Sequence, residues 1–148
     1  MGGDGIKRTC GTGAAMAPSR SNLDVLPCPA EDRCRALEIL YQGLERRVRD
    51  ALVAQAMADQ DVGRVDLSGL WIARKPGRGG APRLVGSLLT QKLPGKAAAV
   101  WAPQVAGVWN RGEVAAALVD RTLAGLQADG TAIAQAVLDE SADPRAGR

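Results

Sequence analysis

Hydrophobic and polar positions divide the chain into runs of two kinds. Short apolar or alternating runs, of strand length, fall at Asn22–Leu26, Leu67–Arg74, Leu84–Leu93, Ala97–Ala102 and Thr131–Leu138. Longer segments carry apolar residues at helical spacing. Cys34, Leu37, Leu40, Tyr41 and Leu44 predict a helix over Pro29–Gly43, with Glu31 and Asp32 in a first turn that favours acids. Val48, Leu52, Val53, Ala56 and Met57 predict a second over Leu44–Asp61, with Arg46, Arg47, Arg49 and Asp50 on its wet face. Ala115, Leu118, Val119, Thr122, Leu123 and Leu126 predict a third over Arg111–Asp129, ended by Gly130.

The connections say how these elements join. Leu93-Pro94-Gly95-Lys96 is a turn, because Pro presets φ and Gly accepts φ > 0. Lys75–Pro82, rich in Gly and Pro, joins the second strand to the third. Strands two, three and four should therefore form an antiparallel meander. The fourth strand, the third helix and the last strand make a βαβ unit, so the strands flanking that helix should be parallel. The last strand is almost wholly apolar, as a strand covered on both faces should be. Gly86 inside strand three suggests a bulge or a close backbone approach. Trp71 and Ile72 are core candidates on strand two.

Composition narrows the chemistry. With 148 residues, one domain is expected: residues 1–21 disordered, 22–140 folded and 141–148 a polar tail. Aromatics are 3% of the chain and Phe is absent, so the core is built from Ala, Val and Leu. The absence of His removes Ser-His-Asp and Cys-His catalysis and His-based metal sites, and no metal site is expected. Cys10, Cys28 and Cys34 fit no metal knuckle, and their odd number argues against a disulfide framework. Reduced thiols and the lack of a long apolar run or secretory leader point to the cytoplasm, with no membrane partner. A net charge of +3 is that of a solvated surface, and no aromatic platform is present for stacking bases. Arg78-Gly79-Gly80 reads as a hairpin turn rather than an RNA-binding segment.

The order β-α-α-β-β-β-α-β, with LVGSLL, AAAVWAP, AAALVDRTLAGLQADG and AIAQAVL in sequence, resembles the N-terminal two-thirds of the GNAT N-acetyltransferases. The resemblance covers about 22–138 and implies an α/β fold with a mixed central sheet. It also implies that the family's last helix and two strands are lacking, which would leave the final strand as an edge open to self-association. In that family strands four and five splay apart, and the pantetheine arm of acetyl-CoA lies between them. The pyrophosphate sits on amides at the start of the following helix. The implied activity is acetyl transfer from acetyl-CoA to an amine, on a small molecule or a peptide. Val100, Trp101, Ala102, Asn110, Arg111, Gly112, Glu113 and Ala115 fall at the matching cofactor-binding positions. Gln91 and Gln135, polar residues on apolar strands, are the candidates for orienting an amine or a water.

One departure stands out. The family's phosphate motif, Gln/Arg-x-x-Gly-x-Gly/Ala, aligns with Asn110, Glu113 and Ala115, of which Ala115 fits. Glu113 would bring a carboxylate to a diphosphate. At about 4 Å and an effective dielectric of 20 that costs on the order of 4 kcal/mol. Such a chain could instead be a non-catalytic module of the same fold.

Overall fold

The computed structural model of the protein describes residues 22–107 and 110–137. The expectations for 1–21 and 141–148 lie outside these residues. β1 (Asp24–Pro27) leads into a 3-10 turn and α1 (Arg33–Leu40), then α2 (Arg46–Asp61), β2 (Leu70–Pro76), β3 (Pro82–Leu93) and β4 (Ala97–Trp101). A short strand β5 (Gln104–Val105), α3 (Arg111–Ala128) and β6 (Ile133–Val137) follow. The sheet order is β1-β2-β3-β4-β6, with β5 on β3. β2, β3 and β4 are an antiparallel meander, and β4 and β6 are parallel, as the turn and crossover chemistry requires.

The sheet is covered on both faces. α3 lies on one, where Leu118 and Leu126 meet Ala73, Val85, Leu88, Ala98 and Val100. α1 and α2 lie on the other, where Ala36, Leu37 and Val53 meet Leu67, Leu70 and Ile72. Ile72 thus belongs to the α1–α2 side, and the half-buried Trp71 packs on the α3 side.

Several boundaries differ from the sequence pattern for local reasons. Leu67–Gly69 is a 3-10 turn, not strand, because the Asp66 carboxylate accepts from the Ser68 amide at 2.9 Å. Hydrogen bonds from the Ser68 side chain and amide hold the Asp66 carboxyl below its usual range. Thr90 locks the turn by donating its hydroxyl to the Gly69 carbonyl at 2.9 Å. α2 buries only Val53 among its expected stripe; Val48 and Leu52 are 46% and 39% exposed. The helix leans on α1 along one edge rather than lying flat. Leu123 likewise faces solvent, and Val114 takes a buried place on α3.

β6 is not covered on both faces: Ile133–Ala136 are exposed. α3 packs over β1, β2, β3 and β5 and leaves β6 bare. β6 is also the last strand of the sheet among the described residues.

Gly86 combines both readings made of it. Ala73 pairs with Gly86 but Arg74 pairs with Leu84, so Val85 is an extra residue and the strand bulges. A Cβ at Gly86 would lie 2.8 Å from Leu118 Cδ1 and 2.9 Å from Val114 Cγ1. The glycine is there for the close approach of α3.

Cys28 and Cys34 are free thiols. Burial, with Asp32 beside it, pushes the Cys28 thiol up to about 11. A thiol with a raised folded pKa keeps its full contribution to stability below its unfolded pKa of 9.0 and loses it as pH rises toward about 11. We expect the exposed Cys34 to be alkylated well before Cys28 at pH 8, read by peptide mass spectrometry. Equal rates would contradict the burial of Cys28.

Candidate functional site

The loop from β4 to α3 is shaped by one proline. Thr90 pairs with Val100 across the β3–β4 ladder, whereas Ser87 pairs with Gln104, so one extra residue is inserted between the two registers. The insertion falls at Trp101-Ala102-Pro103, where Pro103 has no N–H to donate. Past it, β5 returns to β3 and the Ala106 amide donates to the Val85 carbonyl at 2.9 Å. Directions alternate along an antiparallel strand, so the N–H and C=O of Val105 point away from β3. No strand lies on that outer side of β5 among the described residues. The Gln42 side chain reaches across from the end of α1 and donates Nε2 to the Val105 carbonyl at 2.9 Å.

α3 begins just beyond. Asn110 is left-handed, at φ 53°, ψ 32°, and its side chain does not cap the helix. The first-turn amides of Arg111, Gly112 and Glu113 are therefore left without that partner. All four residues 110–113 are exposed, and Ala115 is half-buried against the α3 core. Val114 and Leu118 seat this turn on Gly86.

The cofactor candidates separate into two groups. Asn110, Arg111, Gly112 and Glu113 come together at the open helix start. Val100 and Trp101 do not offer a free edge: they pair with Ala136 and Val137 of β6, and the parallel ladder runs through all five residues of β4. The splayed gap expected between these strands is absent from Ala97–Trp101 and Ile133–Val137. The free edge begins one bulge later, at Ala102–Val105, because the ladder cannot continue through Pro103. The Val100 side chain is core, packed on the α3 side. Gln104, Val105 and Gln42 were not singled out from sequence. A two-residue strand after a proline has no periodicity to detect, and the Gln42 bond spans 63 positions.

Gln91, Ala99 and Gln135 occupy one row across β3, β4 and β6. Paired residues share a face, so both amides lie on the same side of the sheet, about 10 Å apart across two strand spacings. Both are exposed, with buried Ala99 between them.

A cleft lies elsewhere. It holds about 410 Å³ and is lined by Ser68, Trp71, Thr90, Lys92 and Asp129 among others, and of the candidate residues it takes in Gln91 alone. Asp129 closes the far end of α3, and an 18-residue helix puts it about 27 Å from Asn110. This cleft is not part of the loop site. No helix among the described residues is long and apolar enough to cross a membrane.

No protein-family model matches the sequence, and no curated protein matches it. Solved structures do match the fold. A GNAT family acetyltransferase from Brucella melitensis, in complex with acetyl-CoA, is 12% identical, with a TM-score of 0.58 over 84% of this chain and 81% of that one. A ribosomal-protein-alanine N-acetyltransferase from Brucella melitensis biovar Abortus 2308 is 17% identical, with a TM-score of 0.56 over 85% of each chain. A transcriptional regulator from Bacillus halodurans C-125 is 15% identical, with a TM-score of 0.56 over 81% of this chain and 84% of that one. The mixed sheet, the parallel pair joined by α3 and the three helices are those of the GNAT acetyltransferases, and this chain has their fold.

Proposed function

We propose that the protein is an N-acyltransferase that moves an acetyl group from acetyl-CoA to an amine, carried by a small molecule or a peptide, in the cytoplasm. The observation that carries this reading is the uncapped start of α3, next to a β5 whose outer edge has no strand among the described residues. A helix start offers unpaired N–H groups and a positive dipole end to phosphates. The outward Val105 N–H offers a donor to an extended amide-bearing arm. Acetyl-CoA would supply an activated thioester carbonyl. This chain would supply the donors that hold the arm: the outward Val105 N–H and the first-turn amides of α3. Such donors stabilise developing negative charge without any titrating side chain, which suits a chain without His. Gln91 and Gln135 are proposed to orient the amine from their shared face.

Glu113 favours the second reading, a non-catalytic module of the same fold. It is exposed and sits in the first turn, where an acid also serves helix initiation. Calorimetry with acetyl-CoA separates the two. Heat of binding below millimolar ligand supports the enzyme, and its absence supports the module. Under the first reading Glu113→Gly removes one like charge from a solvated site. We expect about tenfold tighter binding, or about 1.4 kcal/mol. An unchanged affinity would mean that Glu113 does not face the phosphates.

A further inference from the structure

The hairpin joining β2 to β3 carries four cations and no acid in the stretch Arg74–Arg83: Arg74, Lys75, Arg78 and Arg83. Its tip is the Arg78-Gly79-Gly80 turn, with Gly79 at φ 76° and Gly80 at φ 84°, so the segment is indeed a turn. Arg74 is bound to Asp24 at 3.3 Å. Among the described residues no carboxylate pairs with Lys75, Arg78 or Arg83.

The register decides where two of these charges point. Trp71 and Ala73 pack on the α3 side of the sheet, whereas Leu70 and Ile72 pack on the α1–α2 side. Alternation then puts Arg74 with Leu70 and Ile72, and Lys75 with Trp71 and Ala73. Arg83 pairs with Lys75 and shares its face. Leu84 packs on the α1–α2 side, which fixes Arg83 opposite to it. Lys75 and Arg83 therefore stand on the face that carries α3. They lie about 7 Å along the strands from the Ala73–Gly86 pair, two residues on. α3 runs from Val114 over Gly86 toward Gly125 over Trp71, so its open start is the end nearer the Lys75–Arg83 pair. Arg111, exposed, is the first residue of that helix.

We infer that Lys75 and Arg83 bind the phosphates at the nucleotide end of coenzyme A and supply the positive charge that Glu113 takes away. This rests on the acyltransferase reading above. Lys75 and Arg83 stand on the face of α3, whose start carries Arg111 and one carboxylate, Glu113, so the balance of charge on that face favours a polyanion despite the missing glycine. Lys75 is half-buried, and a less solvated cation is less screened by salt.

The test is calorimetry on the full chain with two probes, coenzyme A and pantetheine, which has the arm but no nucleotide phosphates. The variants are the Lys75→Ala/Arg83→Ala pair and Lys92→Ala, a cation at the far end of α3 beside Asp129. The inference expects the pair to weaken coenzyme A at least tenfold, to leave pantetheine unchanged, and to flatten the salt dependence of coenzyme A binding. Lys92→Ala should change none of these. If the wild type binds coenzyme A and the pair binds it equally well, this inference fails and the acyltransferase reading stands. If the pair loses pantetheine as well, the residues act on the fold and the inference fails. If the wild type binds neither probe at millimolar concentration, both readings fall.

Discussion

Gly86→Leu should lower stability by about 3 kcal/mol, the upper part of the range for overpacking a filled site, and should weaken acetyl-CoA binding at the same time. The glycine has ordinary negative φ, so no backbone strain follows from a side chain. The cost is spatial. Its missing Cβ faces Leu118 Cδ1 at 2.8 Å, Val114 Cγ1 at 2.9 Å and the Gln104 carbonyl at 3.3 Å. A lone Cβ, as in Gly86→Ala, still makes Leu118 Cδ1 and Val114 Cγ1 shift, but by less, and its cost should be smaller. A leucine is too large for such shifts. It must lift the first two turns of α3, and those turns hold the Asn110–Glu113 start beside β5. A urea titration reads the first effect as a lower midpoint with unchanged slope. Calorimetry reads the second as at least a tenfold rise in Kd. Loss of stability with full affinity would show that the helix start is not the phosphate site.

Leu118→Ala works in the opposite sense and should cost about 3 kcal/mol, within the 2–5 kcal/mol typical of such truncations. Leu118 is fully buried and belongs to the cluster that joins α3 to β2, β3, β4 and β5. The chain has three Trp, one Tyr and no Phe, so few large side chains are at hand to close the void. Leu123→Ala, one turn on but 40% exposed, should cost under 1 kcal/mol. Equal effects of the two changes in a urea titration would contradict the placement of α3.

The sequence pattern carried the meander, the parallel crossover and the three helices because each rests on local chemistry. Pro94-Gly95 makes its turn with Gly95 at φ 79°, and Gly130 follows α3 at φ 91°. Patterns that depend on partners were misleading. Val48 and Leu52 sit at helical spacing yet stay in water, since no element packs on that side of α2 among the described residues. The last strand reads as buried from composition, but α3 is displaced over β1–β3 and leaves it exposed.

The candidate site was legible in part. Asn110–Glu113 lie together at the start of α3 because a helix start is a local feature. The expected gap beside Val100 and Trp101 is absent, and the free backbone edge starts one bulge later, past Pro103. What moves it is the slip between the Thr90–Val100 and Ser87–Gln104 pairs, a property of β3 and the loop together. Gln42, which ties α1 to Val105, had no signal in the sequence at all.

The most direct test is a backbone-amide NMR titration of the full chain with acetyl-CoA. The amides of Val105, Ala106, Gly112 and Glu113 should shift with a single saturable curve, while those of Thr90, Lys92 and Asp129 stay in place. Shifts confined to the Trp71–Asp129 cleft, or none at millimolar acetyl-CoA, would contradict the proposed site.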